Sequence, residues 1–445
     1  MMNEDIQTSP VVIIGAGPVG LAAAAHLVRQ GESPLLFEAG ATVGASMLQW
    51  GHVRLFSPWR SVIDQQAQAL LAEQGWQTPH LDAYPTGQDI VAQYLSPLAQ
   101  VPGIKDALHL QTRVTAVSRA RMDKVKTPTR EETPFVVRVE REDAQEQDIL
   151  ARAVIDASGT YQAPNPLGAH GLMAFGEQAV RDHIFYGLPD VLGTERARYA
   201  GKRVLVVGSG HSAQQILLEL AQLASQEPKT RLVWAIRRPA VQHMFGGGTD
   251  DALPERGQLG LRSLALLEQG QAQFVTGVEI QALRATSAGM VIVGEEERIG
   301  PVDEIIAATG FRPDLSFLRE VRLSLDPGLE SPLALAPLID PNIHSCGTVP
   351  PHGVEELAHP EPNLFVVGMK SYGRAPTFLM LTGYEQIRSI VAALMGDWES
   401  ARQVELVLPE TGVCSTDLGG SCCTPAPALV SLSPRGTRRA GRSGE

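Results

Sequence analysis

The sequence predicts an α/β protein containing two copies of a strand, glycine turn and helix unit. Three observations predict it: the stretch VVIIGAGPVGLAAAAHLVRQGESPLLFE at residues 11–38, a second stretch RVLVVGSGHSA at residues 203–213, and two later apolar strands that each break at a glycine.

In the first unit Val11, Val12, Ile13 and Ile14 are too few for a buried helix and are β-branched, so they read as a central parallel strand. Gly15 permits the tight turn and Gly17 lets the backbone approach a pyrophosphate, with Ala16 between them. Gly20 lets the helix from about Pro18 to Gln30 pack against the sheet. The free N–H groups at that helix start then face phosphate oxygens. Leu35 to Phe37 form the next strand, and Glu38 at its carboxyl end is placed to accept hydrogen bonds from a ribose 2′-OH. A carboxylate there repels a phosphorylated ribose, so this unit suits FAD or NAD.

At 445 residues the chain has room for two or three domains with their own cores. A net charge of −12 argues against nucleic acid as the main partner. The opening MMNEDIQTSP lacks a signal-peptide pattern and no apolar run approaches the roughly 20 residues that span a bilayer, so the expected location is the cytoplasm with no membrane partner. Four cysteines, three of them in the tail, provide no disulfide framework.

Residues 44–60, GASMLQWGHVRLFSPWR, mix tryptophan, arginine and histidine with glycine and proline. They suit a loop packed over a ligand as well as an ordinary packed connection. A helix follows in which Ile90, Val91, Tyr94, Leu95 and Leu98 share one side. Segments 108–118, 134–140 and 149–155 read as a meander of strands, the last ending in the small residues Asp156, Ala157, Ser158 and Gly159.

The second unit carries Gly208, Gly210 and Ala213 at the GxGxxA positions. Its second strand ends in Arg237 and Arg238 where the first unit has its glutamate, and a cationic pair there suits the 2′-phosphate of NADPH. A solvated basic strand end is the other reading. The glycine cluster HMFGGGTDD at 243–251 reads as a loop, either near the nicotinamide or on the surface. The two later strands are EIIAATGFRPD at 304–314 and NLFVVGM at 363–369.

In this order the segments resemble the flavoproteins with two dinucleotide-binding domains, which include flavin-containing and Baeyer–Villiger monooxygenases and pyridine nucleotide-disulfide reductases. The resemblance implies two Rossmann-like domains, with an NADPH domain (166–308) inserted into a discontinuous FAD domain (1–165 and 309–405), followed by a flexible tail (406–445). It also implies positions for the cofactors. The FAD pyrophosphate falls at Gly15, Gly17 and Gly20, the ribose at Glu38, and the adenine near the strand holding Val114. NADPH falls at Gly208, Ser209, Gly210 and Ser212, with Arg237 and Arg238 on its phosphate. Thr309 lies in the linking segment beside the nicotinamide. Gly368 opens the flavin-contacting turn, which leads to a helix from about Thr377. Arg54, His183, Lys370 and Arg374 lie in segments expected near the flavin, without assigned catalytic roles.

The departures from these families are informative. No C-x-x-C or C-x-x-x-x-C occurs, and Met369 stands where the reductases usually have an acid. Both departures favour the monooxygenases, although FGEQAVRDHIFYGLPD at 175–190 lacks their usual Phe-x-Gly-x-x-x-His spacing. The implied chemistry is hydride transfer from NADPH to FAD, O2 activation as a C4a-peroxyflavin, and oxygen transfer to a soft nucleophile or a carbonyl. An NADPH oxidase or electron-transfer reductase is an alternative.

In the tail, Cys414, Cys422 and Cys423 either are incidental or gather around a soft centre such as trivalent arsenic or antimony. The phrases DASGTYQAPNPLG, GMKSYGRAPTFLMLTGYEQ and ELVLPETGVC also resemble the flavin monooxygenases associated with bacterial arsenic resistance. That narrower resemblance implies a small metalloid substrate, and a metalloid-binding flavoprotein without turnover is a third reading. The sequence does not fix the oligomeric state, and a homo-oligomer is compatible with it.

Overall fold

The computed structural model describes residues 8–239, 244–245, 248, 251, 253–343, 349–376 and 378–406. The first body is built on β1 (Val11–Ile14), β2 (Leu35–Phe37) and β3 (Leu108–His109), followed by β4 (Thr112–Arg119), β5 (Phe135–Arg141), β6 (Glu146–Ala151) and β7 (Ala153–Asp156). The second body holds β8 (Ile184–Tyr186), β9 (Arg203–Val207), β10 (Arg231–Ala235), β11 (Ala272–Val275), β12 (Ala282–Thr286), β13 (Gly289–Val293), β14 (Arg298–Val302) and β15 (Glu304–Ala307). The chain then returns to the first body with β16 (Leu364–Val366).

Each body has the same three layers. In the first, the sheet order is β16-β7-β1-β2-β3, and every pairing is parallel. Alternate residues serve opposite faces, as the two-residue period of a strand requires. Val11, Ile13, Leu36 and Ile155 pack on helices Pro18–Arg29 and Met380–Leu394. Val12, Ile14, Phe37 and Val154 pack on the antiparallel sheet β4-β5-β6 through Val117, Phe135 and Val137. Burial on both faces explains why β1 reads as an unbroken apolar run.

The second body repeats this plan with a parallel sheet β11-β10-β9-β15-β8. Val204, Val206 and Trp234 meet helix His211–Gln226, while Leu205, Val207 and Val233 meet the antiparallel sheet β12-β13-β14.

Two strand expectations need correction. Segment 149–155 is two strands in two sheets, with the chain changing sheets at Arg152. β6 is half exposed and antiparallel to β5, whereas β7 is fully buried between β1 and β16. Segment 108–118 is likewise divided, because Gln111 at φ 51° turns the chain from the large sheet into the small one. By contrast, Ile90, Val91, Tyr94, Leu95 and Leu98 are all buried, as the helical spacing requires, and a π turn at Val91–Leu95 adjusts the helix between them.

The two segments that cross between the bodies pair with each other. Asn165 N–H donates to the Gly310 carbonyl at 2.9 Å, Arg312 N–H donates to Ala163 at 3.0 Å, and Thr309 Oγ1 donates to the Asn165 carbonyl at 2.7 Å. Among the described residues no helix is long and apolar enough to cross a membrane, and no group of His, Cys, Asp and Glu is arranged to hold a metal. Cys414, Cys422 and Cys423 lie outside the described residues.

The returning segment is anchored by Glu361, which is fully buried and accepts from Arg119 Nε at 2.7 Å and Arg130 Nη2 at 2.8 Å. Removing one member of such a cluster leaves a buried charge without its counter-ion. Glu361→Ala is therefore expected to lower stability by about 3–5 kcal/mol in urea unfolding. Breaking the exposed Arg138–Asp148 pair should leave the unfolding midpoint unchanged.

Candidate functional site

The first glycine turn lies at the carboxyl ends of β1 and β7. Gly15 adopts φ +96°, and a Cβ there would lie 2.9 Å from the Ala157 carbonyl oxygen and the Ser158 Cα. A Cβ on Gly20 would overlap the Gly15 carbonyl oxygen. Both glycines are thus required by the protein's own packing. Gly17 is not: its φ is −82° and no atom of the protein lies within 4 Å of the position a Cβ would take. Gly17 caps helix Pro18–Arg29 without a side-chain hydrogen bond, Pro18 supplies no donor, and Gly17, Pro18 and Val19 line a cleft. Glu38 closes this turn by accepting from Ala16 N–H at 2.8 Å and Gly40 N–H at 2.7 Å.

The second turn has the same division of labour. Gly208 adopts φ +138°, and a Cβ would overlap the Ala308 carbonyl oxygen. Gly210, at φ −83°, has nothing within 4 Å. The room kept at Gly17 and Gly210, each at the start of a long helix, fits a phosphate held by backbone N–H groups. The residues present therefore suit two dinucleotides.

One cleft of about 890 Å³ joins both turns. It reaches Gly15, Gly17, Pro18 and Glu38 in the first body and Ser209, Gly210, Ser212 and Arg238 in the second. Segment 44–62 forms much of its wall through Met47, Trp50, Leu55 and Phe56, and Gly368 and Met369 line it from a third turn, which follows β16. Tyr161 stacks on Phe311 with ring centroids 4.6 Å apart, and His211 meets Phe56 edge-on at 5.6 Å. Burial pushes the His211 imidazole below its ordinary pKa and the nearby Arg256 adds to this, with Asp251 opposing. Glu219, which does not line the cleft but hydrogen-bonds the lining residue Gln215, is raised to about 7 by burial, against the Gln215 hydrogen bond and with help from Asp190.

The remaining expected residues are placed variously. Val114 is buried in the small sheet and packs in the core. Both arginines are exposed; Arg238 lines the cleft, whereas Arg237 donates to the Ala169 carbonyl at 3.1 Å. Thr309 serves the crossing pair. Arg54 reaches the Tyr84 carbonyl at the cleft edge. His183 is not near the first body's turns; it is exposed and pairs with Glu304 at 3.3 Å, at the start of β15. Arg374 pairs with Glu330. The helix expected from Thr377 begins at Met380, and Thr377 lies outside the described residues.

Sequence reading missed the partner of Lys370. Its Nζ donates to Asp156 Oδ2 at 2.7 Å and to Ser158 Oγ at 3.0 Å, both ionic partners being buried. The pair fastens the Gly368 turn to the end of β7. The partners are 214 residues apart, and only the DASG run hinted that this strand end is functional.

The geometry separates the glycines experimentally. Gly20→Ala is expected to destabilise the fold by several kcal/mol, because a backbone oxygen must move. Gly17→Ala should leave the thermal midpoint of the cofactor-free protein within about 1 °C.

Comparison with known proteins agrees with this architecture. Residues 12–333 match the pyridine nucleotide-disulphide oxidoreductase family. The Arabidopsis thaliana flavin-containing monooxygenase FMO GS-OX-like 3 is 23% identical over 335 residues, covering 69% of this chain and 70% of that protein. Among solved structures, the Bacillus cereus bacillithiol disulfide reductase superposes with a TM-score of 0.64 at 19% identity, covering 87% of this chain and 99% of the other. A Stenotrophomonas maltophilia flavin monooxygenase gives a TM-score of 0.52 at 24% identity, covering 86% and 98%. The chain belongs to the pyridine nucleotide-disulphide oxidoreductase family and is an FAD-dependent NADPH oxidoreductase.

Proposed function

We propose that the protein is a flavin monooxygenase that delivers oxygen to a soft nucleophile, such as a sulfur or nitrogen centre. The observation that carries this reading is the cleft joining both glycine turns, walled by Trp50, Leu55, Phe56, Phe378 and Met380. A reductase of the usual kind needs a dithiol beside the flavin. This chain has neither C-x-x-C nor C-x-x-x-x-C, and its adjacent Cys422 and Cys423 lie outside the described residues.

In this reading residues 1–165 and 309–405 form the FAD domain and residues 166–308 the NADPH domain. The N–H groups opening helix Pro18–Arg29 hold the FAD pyrophosphate, and Glu38 turns from its backbone partners to the adenosine ribose. Ser209, Gly210 and Ser212 hold the NADPH phosphates. Arg238 takes the 2′-phosphate, while Arg237 braces the loop that bears Ala169. Bound FAD supplies hydride acceptance and O2 activation. The chain's own part is to place the two cofactors across one cleft and to keep water from the reacting centre with aromatic and thioether side chains. In balance, NADPH, H⁺, O2 and the acceptor give NADP⁺, water and the oxygenated acceptor.

An arsenic- or antimony-centred acceptor also satisfies this chemistry, but it draws on the tail cysteines, which lie outside the described residues, and the comparisons lend it no support. An NADPH oxidase shares the same site without oxygen transfer, so product stoichiometry decides between them.

Turnover with thioanisole, and separately with arsenite, is the test. About one oxygenated product per NADPH supports the proposal. Recovery of the NADPH equivalents as H2O2 with every acceptor favours the oxidase. Gly17→Ala is expected to lose FAD while keeping its fold, as read by the absorbance of the purified protein. Arg238→Ala should raise the KM for NADPH about 10- to 100-fold and leave NADH unaffected, the loss of a charge-assisted phosphate contact. Arg237→Ala should have the smaller effect.

A further inference from the structure

Behind the cleft, the backbone of Gly368 is held by a buried polar cluster that lies outside the cofactor assignments. Gln386 and Ser371 are fully buried and His352 is 3% exposed. Gly368 N–H lies 2.8 Å from Gln386 Oε1, and Gln386 Nε2 lies 3.0 Å from Ser371 Oγ and 2.9 Å from His352 Nε2. Ser371 Oγ donates to the Gly368 carbonyl at 2.7 Å.

The chemistry of the ends fixes every proton between them. A backbone N–H can only donate, so the Gln386 oxygen faces Gly368 and its NH2 group faces Ser371 and His352. At the other end, His352 Nδ1 lies 3.1 Å from the Pro350 carbonyl, which can only accept. Nδ1 therefore carries the imidazole proton and Nε2 accepts from Gln386. The ring is neutral in this arrangement.

We propose that His352 and Gln386 are positioning residues for the flavin: neutral His352 holds the Gln386 carboxamide in the orientation that anchors Gly368, and a proton on His352 Nε2 reverses that orientation and loosens the turn. A protonated Nε2 meets the Gln386 NH2 group donor to donor. Flipping the carboxamide satisfies the imidazolium but turns the NH2 group against Gly368 N–H. Either way one buried donor loses its acceptor.

The groups facing His352 act in opposite directions. Burial lowers its pKa, while the Pro350 carbonyl and the carboxylates of Glu356 and Glu385 raise it, and the net shift is downward. Tyr372, with its ring 5.6 Å away, is pushed well above its ordinary value by burial and stays neutral. A depressed imidazole pKa gives an anchoring interaction that is complete above the ordinary value of about 6.5 and is lost as pH falls through the folded value.

The inference rests on Gly368 being flavin-facing, and the test separates the two ideas. The FAD-loaded full chain is titrated from pH 8 to pH 5, with released flavin followed by fluorescence and folding by far-ultraviolet circular dichroism. The expected wild-type result is about a tenfold or greater loss of FAD affinity before any loss of ellipticity. His352→Gln keeps an acceptor for Gln386 but cannot titrate, so its affinity should be about threefold weaker at pH 8 and unchanged at pH 5. An acid loss equal to that of wild type overturns the proposal.

Gln386→Glu offers acceptors to both Gly368 N–H and a protonated His352, so the release step should move to lower pH. A step that stays in place or moves upward overturns the proposal independently of how His352→Gln folds. If the wild-type protein holds no FAD at pH 8, the cofactor reading fails instead. The His352 tautomer then decides by nitrogen NMR of the cofactor-free chain: the Nδ1–H form at pH 7 supports the proposal, and the Nε2–H form overturns it.

Discussion

The structure depends on the close approach of two backbone turns, Gly15 against Ala157 and Ser158, at the carboxyl ends of β1 and β7. Only a residue without a side chain permits that approach, and it brings the start of helix Pro18–Arg29 to the mouth of the cleft. The third turn joins the first two through charge: Lys370 and Asp156 form a buried ion pair whose remaining hydrogen bonds involve Ser158. Lys370 is also covered by the Phe317 ring at 4.4 Å. Three neighbouring strands, β1, β7 and β16, thus deliver three turns to one place, and two of them come from segments more than 200 residues apart in sequence.

The second body repeats the solution with other residues. Gly208 packs on Ala308 at the end of β15 as Gly15 packs on Ala157 at the end of β7. In both bodies one sheet face takes helices and the other a three-stranded antiparallel sheet. What differs is the charge at the end of the second strand, a carboxylate at Glu38 and guanidinium groups at Arg237 and Arg238. In the proposed reading this reversal suits the two similar frames to different nucleotides. The segments that cross between the bodies are hydrogen-bonded to each other at Asn165 and Gly310.

Much of this was legible in the sequence because it is local. Glycine spacing, an apolar run before it and a charged residue at the next strand end all lie within about thirty residues, and their geometry is that of a βαβ unit. The family and its cofactors followed from the combination. The rest depends on contacts that spacing does not encode. The change of sheet at Arg152 was hidden because two adjacent strands of different sheets read as one apolar segment. Glu361 looks like an ordinary surface acid until Arg119 and Arg130 close on it from more than 230 residues away. Arg237 and Arg238 are neighbours of one type, yet Arg238 lines the cleft while Arg237 donates to the Ala169 carbonyl. His183 was expected near the flavin from its segment alone, and the parallel pairing of β8 with β15 carries it to the edge of the other body.

The chemistry proposed for the cleft follows from what its walls exclude. Trp50, Phe56, Tyr161, Phe311, Phe378 and Met380 line the cleft between the two glycine turns, and His211 among them is shifted by burial toward its neutral form. Such a site favours a reaction that must be kept from water over one that shuttles protons with bulk solvent. The most direct test is turnover of thioanisole with NADPH under ¹⁸O2, followed by mass spectrometry of the products. The account predicts one ¹⁸O atom in the sulfoxide and its partner in water. Sulfoxide carrying only solvent oxygen, or ¹⁸O recovered in H2O2 with the sulfide unchanged, would contradict it.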